Sequence, residues 1–318
     1  MSIIESYRHE LEHVFAEASA EMAGLPAGLG EIGQALLARS HPLRSGGGAN
    51  VISYLLPYWL REPADHPIEL CRELAIGNIY AMLHFFLLDD AMDGGTGRLE
   101  AGGMRGSLAL GQLLDGLFQQ RYNRHFPNDS LLWDYYRKYV EEWAAAVCTE
   151  SAVPMDPRDP SRLAGKAAPV KLCAAGLLLF SGQPERIPAA EESVNLALAV
   201  LQLSDDWGDW REDLPDANRN AFLTIVREKL ALSAEIPLDE RTVKRGIYHA
   251  QCVDRLADIA EEYGERLGRM RFSPPGLVDF QKAIAQDIRK NAQGIEESTQ
   301  RLASEGGLSY IWSMNSKK

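Results

Sequence analysis

Residues 201–214 read LQLSDDWGDWREDL, an apolar run that turns acidic at Asp205, Asp206, Asp209, Glu212 and Asp213. Asp205, Asp209 and Asp213 stand four apart. On a helix that spacing stacks side chains on one face, where like charges repel. Residues 84–95, HFFLLDDAMDGG, have the same form, with Asp89, Asp90 and Asp93 closing another strongly apolar segment. Both clusters are Asp-Asp-x-x-Asp. Acids at a helix C-terminus have the wrong sign for the macrodipole, so the placement is costly. A solvated helix end would explain one such cluster, but two copies on two apolar helices need another reason. Carboxylate oxygens are the ligands hard divalent cations prefer, and Mg²⁺ shares a few carboxylates with substrate phosphates. Two such patches suit Mg²⁺ held against a diphosphate.

The elements that must present these acids are helices. Apolar residues recur at three and four positions over 3–22, 32–38, 68–88, 131–147, 163–180, 189–203, 243–267 and 277–302, while alternating β-branched runs are scarce. Turn chemistry separates them at SGGGAN (45–50), DGGTG (93–97), HFPNDS (125–130), VPMDPRDPSR (153–162) and FSPPG (272–276). The spacing predicts an all-α bundle of roughly ten helices, one domain over 1–318, with 153–162 a loop and EGGLSYIWSMNSKK an irregular tail. A net charge of −12 argues against a nucleic-acid partner. The opening MSIIESYRHELEHVF reads as an amphipathic helix and not a leader, and no apolar run looks long enough to span a bilayer, so the expected address is the cytoplasm. Cys71, Cys148, Cys173 and Cys252 show neither zinc nor disulfide spacing and are expected as buried thiols.

With these residues in view, the chain resembles the trans-isoprenyl diphosphate synthase and class I terpene synthase superfamily, from SGGGAN to about Phe222. LQLSDDWGD looks like that family's second aspartate-rich motif, Gln202 included, and FLLDDAMD like the first. The resemblance implies an isoprenoid synthase-type helical bundle around a central apolar cavity with both motifs at its mouth. It implies a cluster of about three Mg²⁺ ions. Asp89 and Asp93 are the expected ligands from the first motif and Asp205 and Asp209 from the second, with Asp90 and Asp206 as ligands or supporting acceptors. A homodimer is usual in such relatives.

Chain-elongating members also hold isopentenyl diphosphate, through Gly-Gly-Lys-Arg-x-x-Arg-Pro, a histidine before the first motif and the second of two arginines after it. Here the matching residues are Gly47-Gly48-Ala49-Asn50-Val51-Ile52-Ser53, Met82 and Leu99, none of them cationic. The set that grips the allylic diphosphate is retained: Arg98, then Lys166 with Lys171 as fallback, then Arg219. Loss of one set and retention of the other point to a class I terpene synthase, a lyase that ionises a linear allylic diphosphate of fifteen or twenty carbons. Most such synthases carry Asn-Asp-x-x-Ser-x-x-x-Glu as second motif, and this chain does not. The alternatives are a trans-prenyltransferase of the polyprenyl diphosphate synthase kind and a non-catalytic partner subunit. Phe85 and Phe86 are expected to line the cavity and stabilise a carbocation. Trp207, Trp210, Tyr310 and Trp312 are further aromatic candidates, and His84 reads as a satisfied core histidine ahead of a general base.

Overall fold

The apolar periodicity is realised as helix wherever the chain can be described. The computed structural model describes residues 3–44, 50–62, 64–92, 103–150, 152–233 and 235–305, and no strand forms among them. In chain order the α-helices are α1 (Ile3–Ser6), α2 (Arg8–Ala23), α3 (Leu29–Arg39), α4 (Val51–Trp59), α5 (Ile68–Met92), α6 (Gly103–Asn123) and α7 (Leu132–Thr149). There follow α8 (Pro160–Leu163), α9 (Leu172–Phe180), α10 (Ile187–Gly208), α11 (Ala221–Lys229), α12 (Glu240–His249), α13 (Cys252–Arg269) and α14 (Pro275–Glu305).

The all-α expectation holds, and fourteen α-helices form among the described residues where roughly ten were expected. The pattern over 243–267 is broken between α12 and α13, where Gln251 adopts a left-handed backbone (φ 53°). The pattern over 163–180 begins as a 3₁₀ segment, Gly165–Lys171, which contains Pro169, and becomes α-helical only at Leu172. Periodicity also passed over α4, because all of its residues are buried and no polar face exists to reveal a period. The tail beyond 305, the 45–49 part of SGGGAN and the DGGTG break lie outside the described residues.

Packing groups the described residues into two compact units, one drawn from 1–141, 168–191 and 274–277, the other from 142–167, 192–273 and 278–318. In the first, α5 packs against α2, α4 and α6. Gly77 lets the α6 ring of Tyr122 approach so closely that an added Cβ would lie 2.7 Å from it. Tyr122 then donates to Asn78 Oδ1 at 2.6 Å, and Asn78 donates to the Ser53 carbonyl at 2.8 Å. The buried Arg121 ties α6 to Glu73 of α5 (2.9 Å) and to Glu17 and Glu21 of α2 (2.7 and 2.8 Å). Contrary to the sequence expectation, α5 is long and apolar enough to cross a bilayer. Its buried face packs within the protein instead, with 61% of its most apolar window covered, as in a core helix.

In the second unit, α11 packs against α12 and α13. Gln281 of α14 donates to the Ala260 carbonyl of α13 at 2.8 Å. Of the expected 153–162 loop, residues 153–159 form a loop held inside this unit, and Pro160 opens α8. Met155 N–H donates to the Asn218 carbonyl (2.8 Å), Tyr263 to the Pro157 carbonyl (2.9 Å), and Arg158 forks onto Glu228 (2.9 and 2.7 Å). All four cysteines are unbridged; Cys71, Cys173 and Cys252 are buried, but Cys148 is exposed on α7, against expectation.

Because α5 carries the first acid motif, its seam with α6 is a direct test of the fold. Gly77→Ala should lower unfolding stability by about 1–3 kcal/mol through overpacking against Tyr122. Urea denaturation measures this, and an unchanged midpoint would mean the seam is loose.

Candidate active site

The second acid cluster is built where α10 ends. The helix closes at Gly208, before Asp209, so the cluster is not one continuous helix face. The helical spacing nevertheless persists through single turns. Asp209 N–H donates to the Asp205 carbonyl at 2.8 Å and Asp213 N–H to the Asp209 carbonyl at 3.0 Å. Asp205 and Asp209 are exposed. Asp213 faces elsewhere, accepting from Asn220 Nδ2 at 2.8 Å and lying 3.8 Å from Arg219 Nε.

Asp206 is buried, with 3% exposure, and both of its oxygens are engaged. Gln202 donates to Oδ1 at 2.7 Å, and the Ala221 backbone N–H, at the start of α11, donates to Oδ2 at 2.6 Å. Asn220 adds a bond to the Asp206 carbonyl (2.8 Å), while its own Oδ1 caps α11 by accepting from Leu223 N–H at 2.9 Å. Asp206 thus pins the motif to the N-terminus of α11, where the helix dipole favours an anion. Burial still wins: it pushes the Asp206 carboxyl up to about 7 against the bonds from Gln202 and Ala221, with Asp213 and Asp205 adding to the rise. Part of Asp205 meets solvent, yet surrounding protein withdraws enough water to raise its carboxyl to about 6, and the Asp209 charge adds to this. Asp205 and Asp209 are therefore close enough to repel, and their oxygen donors suit a hard cation that would relieve that repulsion.

The first cluster is described only in part. Asp89 and Asp90 are half-buried in the last turns of α5; Asp93, Arg98 and Leu99 lie outside the described residues, as do Gly47, Gly48, Ala49, Tyr310 and Trp312. Among the described residues no three metal-ligating side chains converge on a single point. Phe85 and Phe86 are half-buried one turn before the aspartates. His84 Nδ1 lies 2.8 Å from the Gly111 carbonyl, the bond of a satisfied core histidine. Trp207 packs edge-on against Phe222 with ring centres 4.9 Å apart, and Trp210 lies buried beneath the Arg211 guanidinium at 4.8 Å. At the matched isopentenyl positions, Met82, Val51, Ile52 and Ser53 are all buried.

Two of the expected diphosphate cations do meet. Lys166 Nζ lies 2.6 Å from Glu150 Oε1, and Arg219 Nε lies 3.4 Å from the same oxygen. The local fold explains the approach. Gly165 sits so close to Ala146 of α7 that an added Cβ would come within 2.7 Å of the alanine methyl, and Glu150 follows one turn after Ala146. Glu150, Arg162, Lys166, Gln202 and Arg219 form the polar side of a small cavity, with Ala146, Met155 and Leu163 as its apolar side. Its volume of about 10 Å³ admits roughly one water. Lys171 is elsewhere, buried in the first unit with its ammonium 4.9 Å from the centre of the Tyr139 ring.

Sequence reasoning missed Glu150 and Arg162. Arg162 follows Asp159, the N-cap of α8, and donates to the Pro154 and Val153 carbonyls, shaping the loop that walls the cavity. No motif marks Glu150; only the demand of two converging cations for a counter-charge could have pointed to it.

No family model matches the chain, and no curated protein matches it. Solved structures do. A T. brucei farnesyl diphosphate synthase complex is 14% identical, covering 90% of this chain and 100% of that one at a TM-score of 0.57. A second complex of the T. brucei enzyme is 16% identical over 89% and 99% of the two chains, at 0.55. A third, with homorisedronate, is 15% identical over 90% and 98%, at 0.51. The chain has the all-α isoprenoid synthase fold. At these identities the likeness extends to the fold alone, and it is the fold of the superfamily that the acid motifs resemble.

The raised Asp206 carboxyl has a measurable consequence. A folded-state value near 7 against 3.8 for the unfolded chain means the folded protein holds the extra proton between those values. Stability should therefore fall as pH rises through that window. In chelator-treated protein, Asp206→Asn should remove about 1–2 kcal/mol of the stability gained between pH 7.5 and pH 5.5. Denaturation midpoints of both forms at both pH values check this; equal pH slopes would mean Asp206 is ionised in the native state at neutral pH.

Proposed function

We propose that this chain is an Mg²⁺-dependent class I terpene synthase that ionises a linear allylic diphosphate, of fifteen or twenty carbons, and folds the resulting cation onto its own double bonds. The observation that carries the diphosphate part is the convergence of Lys166 and Arg219 on one carboxylate oxygen, beside Gln202 and the second acid motif. Cations gathered next to exposed carboxylates are what a metal-bound diphosphate needs on its two sides. In this reading 1–318 acts as one domain, in the cytoplasm, with a homodimer as its assembly.

Asp89, Asp93, Asp205 and Asp209 would hold the metal, with Asp90 as a further ligand. Asp206 would act mainly as the acceptor that fixes the second motif in place. Bound Mg²⁺ supplies Lewis-acid polarisation of the diphosphate oxygens. Lys166, Arg219 and Arg98 offset the negative charge that grows as the carbon–oxygen bond breaks, so they act on the transition state more than on binding. Lys171, buried against Tyr139, is set aside in favour of Lys166. Phe85 and Phe86 present ring faces to the carbocation, and exclusion of water decides whether deprotonation or quenching ends the reaction.

Elongation is the second reading, and the comparisons stand nearer to it: the solved structures named above are all farnesyl diphosphate synthases. Against it, the positions matched to the isopentenyl site are non-cationic, and of those described Val51, Ile52, Ser53 and Met82 are buried while Asn50 is half-buried. A second diphosphate there would be an uncompensated polyanion.

Asp205→Asn and Asp89→Asn should each lower turnover of an allylic diphosphate by about a hundredfold or more while leaving the helical circular dichroism unchanged. Near-normal turnover in both variants would sink the metal-cluster assignment. With labelled isopentenyl diphosphate plus an allylic diphosphate, label should stay out of longer prenyl diphosphates, and gas chromatography should show a hydrocarbon or alcohol. Efficient incorporation of label would promote elongation over cyclisation.

A further inference from the structure

Lys166 and Arg219 do not wait for a substrate as an open pair of cations. Both reach the same oxygen of Glu150, whose side chain is only 15% exposed, and Arg219 also lies 3.8 Å from Asp213. The remaining space beside them is about 10 Å³, enough for a water and far too small for a diphosphate. An anion entering this cavity therefore competes with the Glu150 carboxylate for the same two cations.

We propose that Glu150 is a built-in counter-ion that stands in for the diphosphate, rests on the Lys166–Arg219 pair in the empty protein, and must be displaced for a polyanion to bind. The inference rests on the diphosphate reading given above and adds to it a residue that sets which anions are accepted. An anion with one phosphate group exchanges the single carboxylate charge for no more than about two, and gains little. A diphosphate brings more charge and more acceptor oxygens to the same two cations, so it wins the exchange. The carboxylate remains nearby to reclaim its cations, and so favours release of the product. Gly165, through its close contact with Ala146, is what brings Lys166 within reach of Glu150. Glu150 acts through the two cations and is a positioning residue, not a catalytic one.

The test is the affinity of the full chain for inorganic diphosphate without Mg²⁺, by calorimetry, in the parent and in Glu150→Gln and Glu150→Asp. Glutamine keeps the size and a carbonyl acceptor but removes the charge, so binding should tighten about tenfold. Aspartate keeps the charge and should stay within about threefold of the parent. Inhibition of turnover by added diphosphate should strengthen in Glu150→Gln in parallel. If Glu150 merely props the two cations in place, Glu150→Gln would weaken binding. That result, an unchanged affinity, or no binding by any form would overturn the proposal. Turnover of an allylic diphosphate by the same parent preparation separates the two failures. Turnover without the expected affinity change removes only the role of Glu150, whereas absence of turnover removes the synthase reading itself.

Discussion

Like charges brought close together have to be held there by the rest of the protein. Asp205 and Asp209 repel across one helical turn, and the cost is visible in the Asp205 carboxyl, raised to about 6 by desolvation and by its neighbour. The surrounding structure answers with anchors on both sides. Upstream, α10 buries Leu196, Ala197, Ala199, Val200 and Leu203 completely, so the helix cannot turn its acids away. Downstream, Asp206 grips the first N–H of α11 and Asn220 ties back to the Asp206 carbonyl, which stops the chain unwinding after Gly208. One aspartate of the motif is spent on geometry so that its neighbours can stay exposed. Its own high value, about 7, is the strain of that arrangement.

The same physics runs with opposite sign a few residues away. Lys166 and Arg219 are gathered around Glu150, and Arg219 and Asn220 in turn hold Asp213. Asp213 thus begins as the last acid of the motif and ends as part of the cationic side. The acid and base clusters are not independent features placed side by side. The short 3₁₀ segment Leu214–Arg219 carries the chain from one to the other, and Asn220, just after it, bonds to Asp213 just before it and to the Asp206 carbonyl.

Local chemistry made much of this legible in the sequence, and long-range packing made the rest opaque. Apolar period, turn residues and the acids after Leu203 needed only local spacing, and the helical class and the position of both motifs follow from them. Lys166 and Lys171 could not be told apart by spacing, since they are one and a half turns apart in a segment whose 3₁₀ geometry is set by Pro169. Packing separates them: one borders Glu150, the other lies under Tyr139. Asp206 looks like its neighbours on paper and differs only because α11 folds back onto it from fifteen residues away. Cys148 looked buried from its apolar run, yet that side of α7 faces outward.

The fold alone leaves elongation and cyclisation level, because both begin by breaking the same allylic carbon–oxygen bond. They part at the nucleophile. Elongation needs a second diphosphate held by its own cations, and cations near a polyanion are worth most where water is scarce. In this chain the segment from Val51 to Trp59 is buried residue by residue, and Met82 of α5 is buried as well. A lysine or arginine introduced at those buried positions would have to be desolvated before it could meet any phosphate, which disfavours the charged form. Packing has therefore committed these positions to the core. On the synthase reading proposed above, an allylic cation would therefore have its own distal double bonds as the nearest carbon nucleophiles.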